Sequence, residues 1–102
     1  MKRYHEKAIE NYNQSLELNP DFIFSRFNRA IVYSLTEELE KAVEDYSWCI
    51  EREPQLGEAH YNMGLLKIFM KNPSAGCRDL SKAGELGIQT AYQVIYKFCK
   101  DE

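Results

Sequence analysis

Two side chains in this sequence could act together as a nucleophile and its base: the thiol of Cys49 and the imidazole of His60. A cysteine attacks as its thiolate, which a neighbouring histidine generates by accepting the proton. That chemistry also needs a residue that orients the imidazole and a loop that holds the oxyanion, and the sequence suggests neither. Glycine-rich phosphate loops and metal-ligand spacings are also absent from it. We therefore predict a chain that is not an enzyme and uses no cofactor or metal, with hydrolysis by Cys49 and His60 as a minor alternative.

The cysteines raise the question of a disulfide. Cys49, Cys77 and Cys99 are odd in number and none is paired as CxxC, which argues against a disulfide framework and a zinc ribbon. Cys77 and Cys99 each lie eleven residues from Ile88, so an antiparallel helix hairpin would bring them opposite each other. A bond requires alpha carbons within about 7 Å, which spacing cannot show. We expect two buried thiols, with a disulfide as the alternative, and a reducing, cytoplasmic location.

Helices must position all of these residues, because apolar side chains recur at spacings of three and four. One such face carries Tyr4, Ala8, Ile9, Tyr12, Ser15 and Leu16. Pro20, Pro54 and Pro73 stand where helices should change, and Gly87 frees the chain to turn. We predict six helices, at about 2–18, 21–35, 38–52, 56–70, 73–86 and 89–100.

The chain repeats itself with a period of 34 residues. EKAIENY at 6–12 returns as EKAVEDY at 40–46, and Pro20 falls on Pro54. Another period on, Phe27-Asn28-Arg29-Ala30 falls on Tyr61-Asn62-Met63-Gly64, so large residues meet large and small meet small. A period of this length marks a supersecondary unit that buries its apolar face only by stacking on its copies.

These residues resemble the tetratricopeptide repeat family, most closely at Glu58-Ala59-His60-Tyr61-Asn62-Met63-Gly64. The resemblance implies an all-α fold, a right-handed α-α superhelix or solenoid of about six antiparallel helices. His60 and Arg26 stand where the family usually has tryptophan, and Ile88 replaces the third proline. Ala83-Gly84-Glu85-Leu86-Gly87 also resembles Sel1-type repeats.

The repeats predict one domain over residues 1–102. It consists of a half repeat with only the second helix at 1–20, full repeats at 21–54 and 55–88, and a capping helix at 89–102. The apolar face of the first helix then lacks the helix that normally covers it. We expect that end to join upstream repeats or a second copy of the chain, through residues 2–18.

In the family, one helix of each pair lines a concave side that generally binds peptides. In this chain, the predicted helices at 21–35 and 56–70 are the ones expected on that side. The predicted partner-binding residues are Phe24, Phe27, Asn28, Ile31, Tyr61, Asn62, Leu65 and Phe69. The amides of Asn28 and Asn62 offer both a donor and an acceptor to a peptide backbone, or equally to neighbouring helix ends. The competing interpretation is that at least half of the apolar set packs helix against helix.

The charge and the hydropathy of the chain limit the classes of partner that we predict. The formal net charge is −3 with both signs interleaved, so we predict no nucleic-acid partner, and no apolar run is long enough to cross a membrane. Some family members hold the carboxylate tails of heat-shock chaperones with lysine and arginine. Here Glu58, Tyr61 and Leu65 stand in that neighbourhood, and the carboxylate of Glu58 would repel an anionic tail. The acidic stretch Glu37, Glu38, Glu40, Glu44 and Asp45 is interpreted as a solvated helix face, with a docking site for a basic partner as the alternative.

The sequence therefore predicts a non-enzymatic module that binds a protein or peptide through an apolar concave groove. The alternative is an architectural or self-associating segment of a larger repeat protein, including a homodimer joined through the open first helix.

Overall fold

The computed structural model describes residues 2–99, and every regular element in that range is an α-helix. The helices are α1 (Lys2–Leu18), α2 (Ile23–Leu35), α3 (Leu39–Arg52), α4 (Gly57–Phe69), α5 (Pro73–Glu85) and α6 (Thr90–Phe98). The six predicted helices are confirmed, and their bounds agree to within two residues. The predicted half repeat and capping helix also include residues 1 and 100–102, which lie outside the described residues.

The same backbone hydrogen-bond pattern ends three of these helices. An amide bonds to the carbonyl five residues earlier, from Glu38 to Tyr33 at 2.9 Å, from Asn72 to Lys67 at 2.8 Å and from Ile88 to Ala83 at 3.0 Å. Each turn contains one residue with positive φ: Glu37 at 64°, Lys71 at 69° and Gly87 at 104°. This pattern is the Schellman motif, in which a left-handed residue satisfies the last carbonyls of the helix. Glu37 and Lys71 are one period apart, so the turn repeats with the sequence.

The residues up to Cys49 form one compact unit. α1 packs on α2, where the hydroxyls of Ser15 and Ser25 are hydrogen-bonded at 2.7 Å. α2 packs on α3 through the ring of Phe27, whose centroid lies 5.9 Å from that of Tyr46, and Ala30 on α2 and Ala42 on α3 are both completely buried. Tyr46 is only 2% exposed, so its ring belongs to the core of this unit.

The residues from Ile50 onward form a second compact unit. α4 and α5 cross at Gly64 and Gly76, where a Cβ on either glycine would lie within 2.8 Å of the other glycine's carbonyl oxygen. These glycines occupy the repeat positions of Ala30 and Ala42, which are completely buried in the first unit. Leu80, Ala83 and Ala91 form the buried core beyond it, between α5 and α6.

Cys77 and Cys99 form a disulfide in the second unit, with alpha carbons 6.0 Å apart. The expectation of two buried thiols at these positions was therefore wrong. α5 and α6 pack as the hairpin that the spacing around Ile88 predicts, and their approach meets the distance that a disulfide requires.

Candidate partner-binding surfaces

α2 carries four of the predicted partner-binding residues, and they differ in exposure. Phe24 is 60% exposed, while Phe27, Asn28 and Ile31 are half-buried. Spacings of three, four and seven residues place all four along one side of the helix. Phe27 packs edge-on against Tyr46, so it also serves the core of its unit.

α4 carries the other four. Phe69 is 66% exposed and Leu65 is partly exposed, while Tyr61 and Asn62 are half-buried. Tyr61 packs against the core that contains Leu80. Each helix therefore combines one aromatic ring that serves its own unit, Phe27 or Tyr61, with one that stands at the surface.

Asn28 and Asn62 occupy matching positions, and neither side-chain amide has a hydrogen-bond partner among the residues that the structure describes. Both are half-buried. Of the two roles considered for them, the hydrogen bond to a helix end is thus not made within residues 2–99. An amide with open donor and acceptor sites can bind the backbone of an extended peptide, and each asparagine shares its helix with an exposed phenylalanine.

Sequence reasoning missed a buried ionic cluster in the first unit. Asp45 is 2% exposed, and its carboxylate accepts two 2.8 Å hydrogen bonds from the guanidinium of Arg29. Arg29 also donates to Asn13 Oδ1 at 2.7 Å, so the cluster joins α1, α2 and α3. The hydrogen bonds to Asp45 raise the pKa of Arg29, and this effect exceeds the lowering of that pKa by burial.

Arg26 completes the cluster. Its Nη1 lies 3.5 Å from Asp45 Oδ1, and its guanidinium lies 4.4 Å from the centre of the Trp48 ring. A planar guanidinium can stack on an aromatic face while it contacts a carboxylate, which a lysine does less well. Arg26 thus stands where the family usually has a tryptophan, and the aromatic ring in this packing is that of Trp48 on α3.

The second unit has a counterpart to this ion pair. Lys67 Nζ lies 2.9 Å from Asp79 Oδ2, an ion pair between α4 and α5. Asp79 is one period after Asp45, and this match is the sequence signal that could have revealed the site. The cation differs: it is Arg29 in the first unit and Lys67 in the second, and these two residues occupy different repeat positions. The repeat therefore retains the acidic residue and changes the position of its partner.

Asp45 also corrects the interpretation of the acidic stretch. Glu37, Glu38, Glu40 and Glu44 are exposed, as expected of a solvated face, but Asp45 is buried against Arg29. Lys41 and Thr36 each donate a 3.1 Å hydrogen bond to Glu38, which lowers the pKa of that carboxyl. The solvated face is therefore confirmed for the four glutamates and wrong for Asp45.

The first helix presents a groove of its own. About 260 Å³ of space lies among Tyr4, Lys7, Ala8, Asn11 and Tyr12. Tyr4 is 72% exposed and Tyr12 is half-buried. One period later, Ala42 and Tyr46 match Ala8 and Tyr12 and are buried where α2 packs on α3.

The residues considered for catalysis hold structural positions. Cys49 is completely buried, and its Sγ lies 3.7 Å from the carbonyl oxygen of Ile23. His60 is also buried, and its Nε2 is hydrogen-bonded to the carbonyl of Pro54 at 2.9 Å. A substrate does not reach a thiol at this depth, so the geometry gives the hydrolytic alternative no support. Within residues 2–99, no three metal-binding side chains are clustered.

The helical hairpins and their periodic crossings define a helical-repeat protein. A family model described as tetratricopeptide repeat matches residues 11–44. Human tetratricopeptide repeat protein 12 is 30% identical over 90 residues, covering 88% of this chain and 13% of that protein. Hsp70-Hsp90 organizing protein 3 of Arabidopsis thaliana is 27% identical over 67 residues, covering 66% and 12%. The chain thus spans about an eighth of the length of these two relatives.

Solved structures show the same fold. YrrB, described as a tetratricopeptide repeat protein with an unusual peptide-binding site, matches with a TM-score of 0.82 at 21% identity, over 88% of this chain and 47% of its own. The tetratricopeptide repeat domain of Sgt2 from Aspergillus fumigatus matches with a TM-score of 0.77 at 25% identity, over 94% and 71%. The chain belongs to the tetratricopeptide repeat family, and its fold is the all-α repeat fold that the resemblance implies. The Sel1-like character of residues 83–87 stays a prediction.

Proposed function

We propose that the chain is a non-enzymatic interaction module that binds a peptide or a partner's helix through the apolar side chains on α2 and α4. The observation that carries this proposal is that each helix bears an exposed phenylalanine and an amide that has no hydrogen-bond partner within residues 2–99. On α2 these are Phe24 and Asn28, about one helical turn apart, and on α4 they are Asn62 and Phe69, about two turns apart. Aromatic burial supplies most of the binding energy at such interfaces, and amides fix the register of the bound backbone.

The remaining predicted residues support these anchors. Ile31 and Leu65 extend the apolar strip on their helices, while Phe27 and Tyr61 connect it to the core of each unit. The similarity to proteins named for chaperone organisation and for a peptide-binding site agrees with this class of function.

A protein or peptide is the proposed partner class. The interleaved charges and the net charge of −3 do not favour a nucleic-acid backbone. None of the helices within residues 2–99 is both long enough and apolar enough to span a bilayer. Cytoplasmic location stays a prediction.

The experiment begins by selecting binding peptides from a random displayed library. Affinities are then measured by fluorescence polarisation for the parent chain and for Phe24→Ala and Phe69→Ala. Loss of an aromatic anchor at the centre of an interface costs about 2 kcal/mol or more, so we expect affinity to fall by roughly 30-fold.

Leu18→Ala is the matched control, because Leu18 is an exposed apolar residue outside the proposed surface. It should bind selected peptides like the parent chain, and circular dichroism should confirm that all variants are folded. Selected peptides whose affinity is unchanged by both phenylalanine substitutions would rule out this surface.

A second candidate function is self-association or extension through α1, which the exposed groove at Tyr4 and Tyr12 favours. The occupant we propose is an amphipathic helix of the α2 type, since α2 covers the equivalent residues of α3. Sedimentation velocity over about a hundredfold range of concentration tests self-association. A concentration-dependent dimer that Tyr4→Asp abolishes supports a second copy as the occupant, whereas a strict monomer eliminates self-association.

A further inference from the structure

The Cys77–Cys99 disulfide lies beside an open groove in the second unit. Both cysteines are half-buried, and the groove has a volume of about 520 Å³. The groove is lined by Pro73, Ser74, Cys77, Arg78, Ser81, Ile95, Phe98 and Cys99. The groove therefore opens to solvent beside the two residues that form the disulfide. Cys49, by contrast, is completely buried.

The charge along this groove favours thiol chemistry. Arg78 follows Cys77 directly and lines the groove, and none of the lining residues carries a carboxylate. Thiol–disulfide exchange proceeds by attack of a thiolate and releases a thiolate, so a nearby cation lowers the energy of both. Arg78 also attracts anionic thiols to the site.

The bond lies at the end of a short helix. α6 spans nine residues, which is shorter than the length at which isolated helices become stable in water. Ala91 is its one fully buried residue, while Tyr92 and Phe98 are more than half exposed, and the ring of Tyr92 lies against Gly84 on α5. Val94 and Ile95 are partly buried against the core. The disulfide ties Cys99, the residue that follows α6, covalently to Cys77 on α5.

We propose that Cys77 and Cys99 form a redox modification site, a clasp that low-molecular-weight thiols open and their disulfides close. In the opening reaction, a small thiolate attacks one sulfur atom, forms a mixed disulfide and releases the other cysteine as a thiolate. A second small thiolate then displaces the protein sulfur. The protein gains two electrons and, after protonation, two thiols, while two small thiols are oxidised to one small disulfide. Opening the clasp releases the C-terminal half of α6 from α5.

This proposal does not depend on the partner surfaces of α2 and α4. In the cytoplasm, where disulfides that do occur are usually transient or redox-sensing, the reduced and oxidised glutathione couple would be the co-reactant. The disulfide would then exist in part of the population, at a level set by that couple.

The test equilibrates the oxidised 102-residue chain in buffers of reduced and oxidised glutathione without denaturant. Thiols are trapped with iodoacetamide and located by peptide mass spectrometry. We expect Cys77 and Cys99 to become labelled together while Cys49 stays unlabelled, and oxidised glutathione to reverse the change. Labelling of Cys77 and Cys99 only when Cys49 is also labelled would overturn the proposal, because reduction would then require unfolding.

Hydrogen–deuterium exchange measures the structural consequence. After reduction, amides of residues 92–98 should exchange at least about tenfold faster, while those of α4 change little. The variant with both Cys77→Ser and Cys99→Ser should show the fast exchange in every glutathione buffer. Equal exchange in α6 before and after reduction would contradict the clasp.

The route of attack has its own control. Arg78→Gln should slow reduction by glutathione, which is an anionic thiol, by about threefold, as expected for loss of one exposed charge interaction. Lys82→Gln removes an exposed cation from α5 outside the groove and should leave the rate unchanged. Equal rates in the parent chain and both variants would exclude attack through the groove at Arg78.

Discussion

Arg29 donates two hydrogen bonds of 2.8 Å to the carboxylate of Asp45, and this contact joins α2 to α3 inside the first unit. Because the carboxylate is buried and the guanidinium also holds Asn13 on α1, the pair fixes the positions of three helices. The pKa of Arg29 is raised, so its stabilising charge is present at all pH values below the usual arginine range. Raising the pH within the range tolerated by proteins therefore does not remove the cation.

Asp45→Ala should destabilise the chain strongly. It leaves two guanidinium groups without their carboxylate, and loss of one partner of a buried pair costs about 3 kcal/mol. Urea unfolding followed by circular dichroism measures the change. Asp79→Ala breaks the more exposed pair with Lys67 and should cost about 1 kcal/mol. Equal losses at Asp45 and Asp79 would contradict the assignment of the larger structural role to the first cluster.

Glu37→Gly and Lys71→Gly should each raise the free energy of unfolding. Both residues adopt a positive φ, which costs a residue with a Cβ about 1 kcal/mol relative to glycine. Urea titration should show a gain of roughly 0.5 to 1 kcal/mol for each. Gly87→Ala should show the opposite sign, although a Cβ at that position would meet no atom within 4 Å, because the strain there is in the backbone.

Gly76→Ala should disrupt the crossing of α4 and α5. A Cβ at Gly76 would lie 2.6 Å from the carbonyl oxygen of Gly64, so one backbone must move, at a cost of about 1 to 3 kcal/mol. Gly57→Ala is the comparison, because its nearest contact would be Ile88 Cγ1 at 2.9 Å, on a side chain that can rotate. Thermal unfolding should therefore show a larger loss for Gly76→Ala, and a larger loss at Gly57 would be inconsistent with backbone contact at the crossing.

Phe24→Ala and Phe27→Ala should separate binding from packing. Phe24 is exposed, so its loss should change stability by less than about 0.5 kcal/mol while it weakens a selected peptide. Phe27→Ala removes the ring contact with Tyr46 and should destabilise the fold by about 2 kcal/mol. Paired measurements of urea midpoint and peptide affinity check this; a large stability loss at Phe24 would mean that it packs in the core.

Peptides that end in an acidic carboxylate tail should bind poorly. Glu58 is exposed in the first turn of α4, and a carboxylate there repels an anionic tail. Glu58→Lys should improve the binding of such a tail by about fivefold at low salt, with the gain lost at high salt. Glu40→Lys, on the exposed face of α3, is the charge-matched control. Strong tail binding by the parent chain would contradict the prediction.

The period of the sequence determined the helices and their pairing. Small residues recur in register, Ala30 with Gly64 and Ala42 with Gly76, and the structure places Gly64 and Gly76 at the crossing of α4 and α5, because only small side chains allow backbones to approach closely. Proline and glycine positions predicted the helix ends, since their effects on the backbone are local. The all-α architecture could therefore be predicted from the sequence alone.

Only the tertiary structure decided which side chains meet across helices. Asp45 belongs to an acidic run in the sequence, yet the rotation of α3 turns it inward to Arg29, while its neighbour Glu44 stays exposed. The Cys77–Cys99 bond likewise depends on a distance of 6.0 Å between alpha carbons that spacing does not specify. Local pattern sets the period of a helix, but contacts between helices depend on their rotation and separation, to which the whole chain contributes.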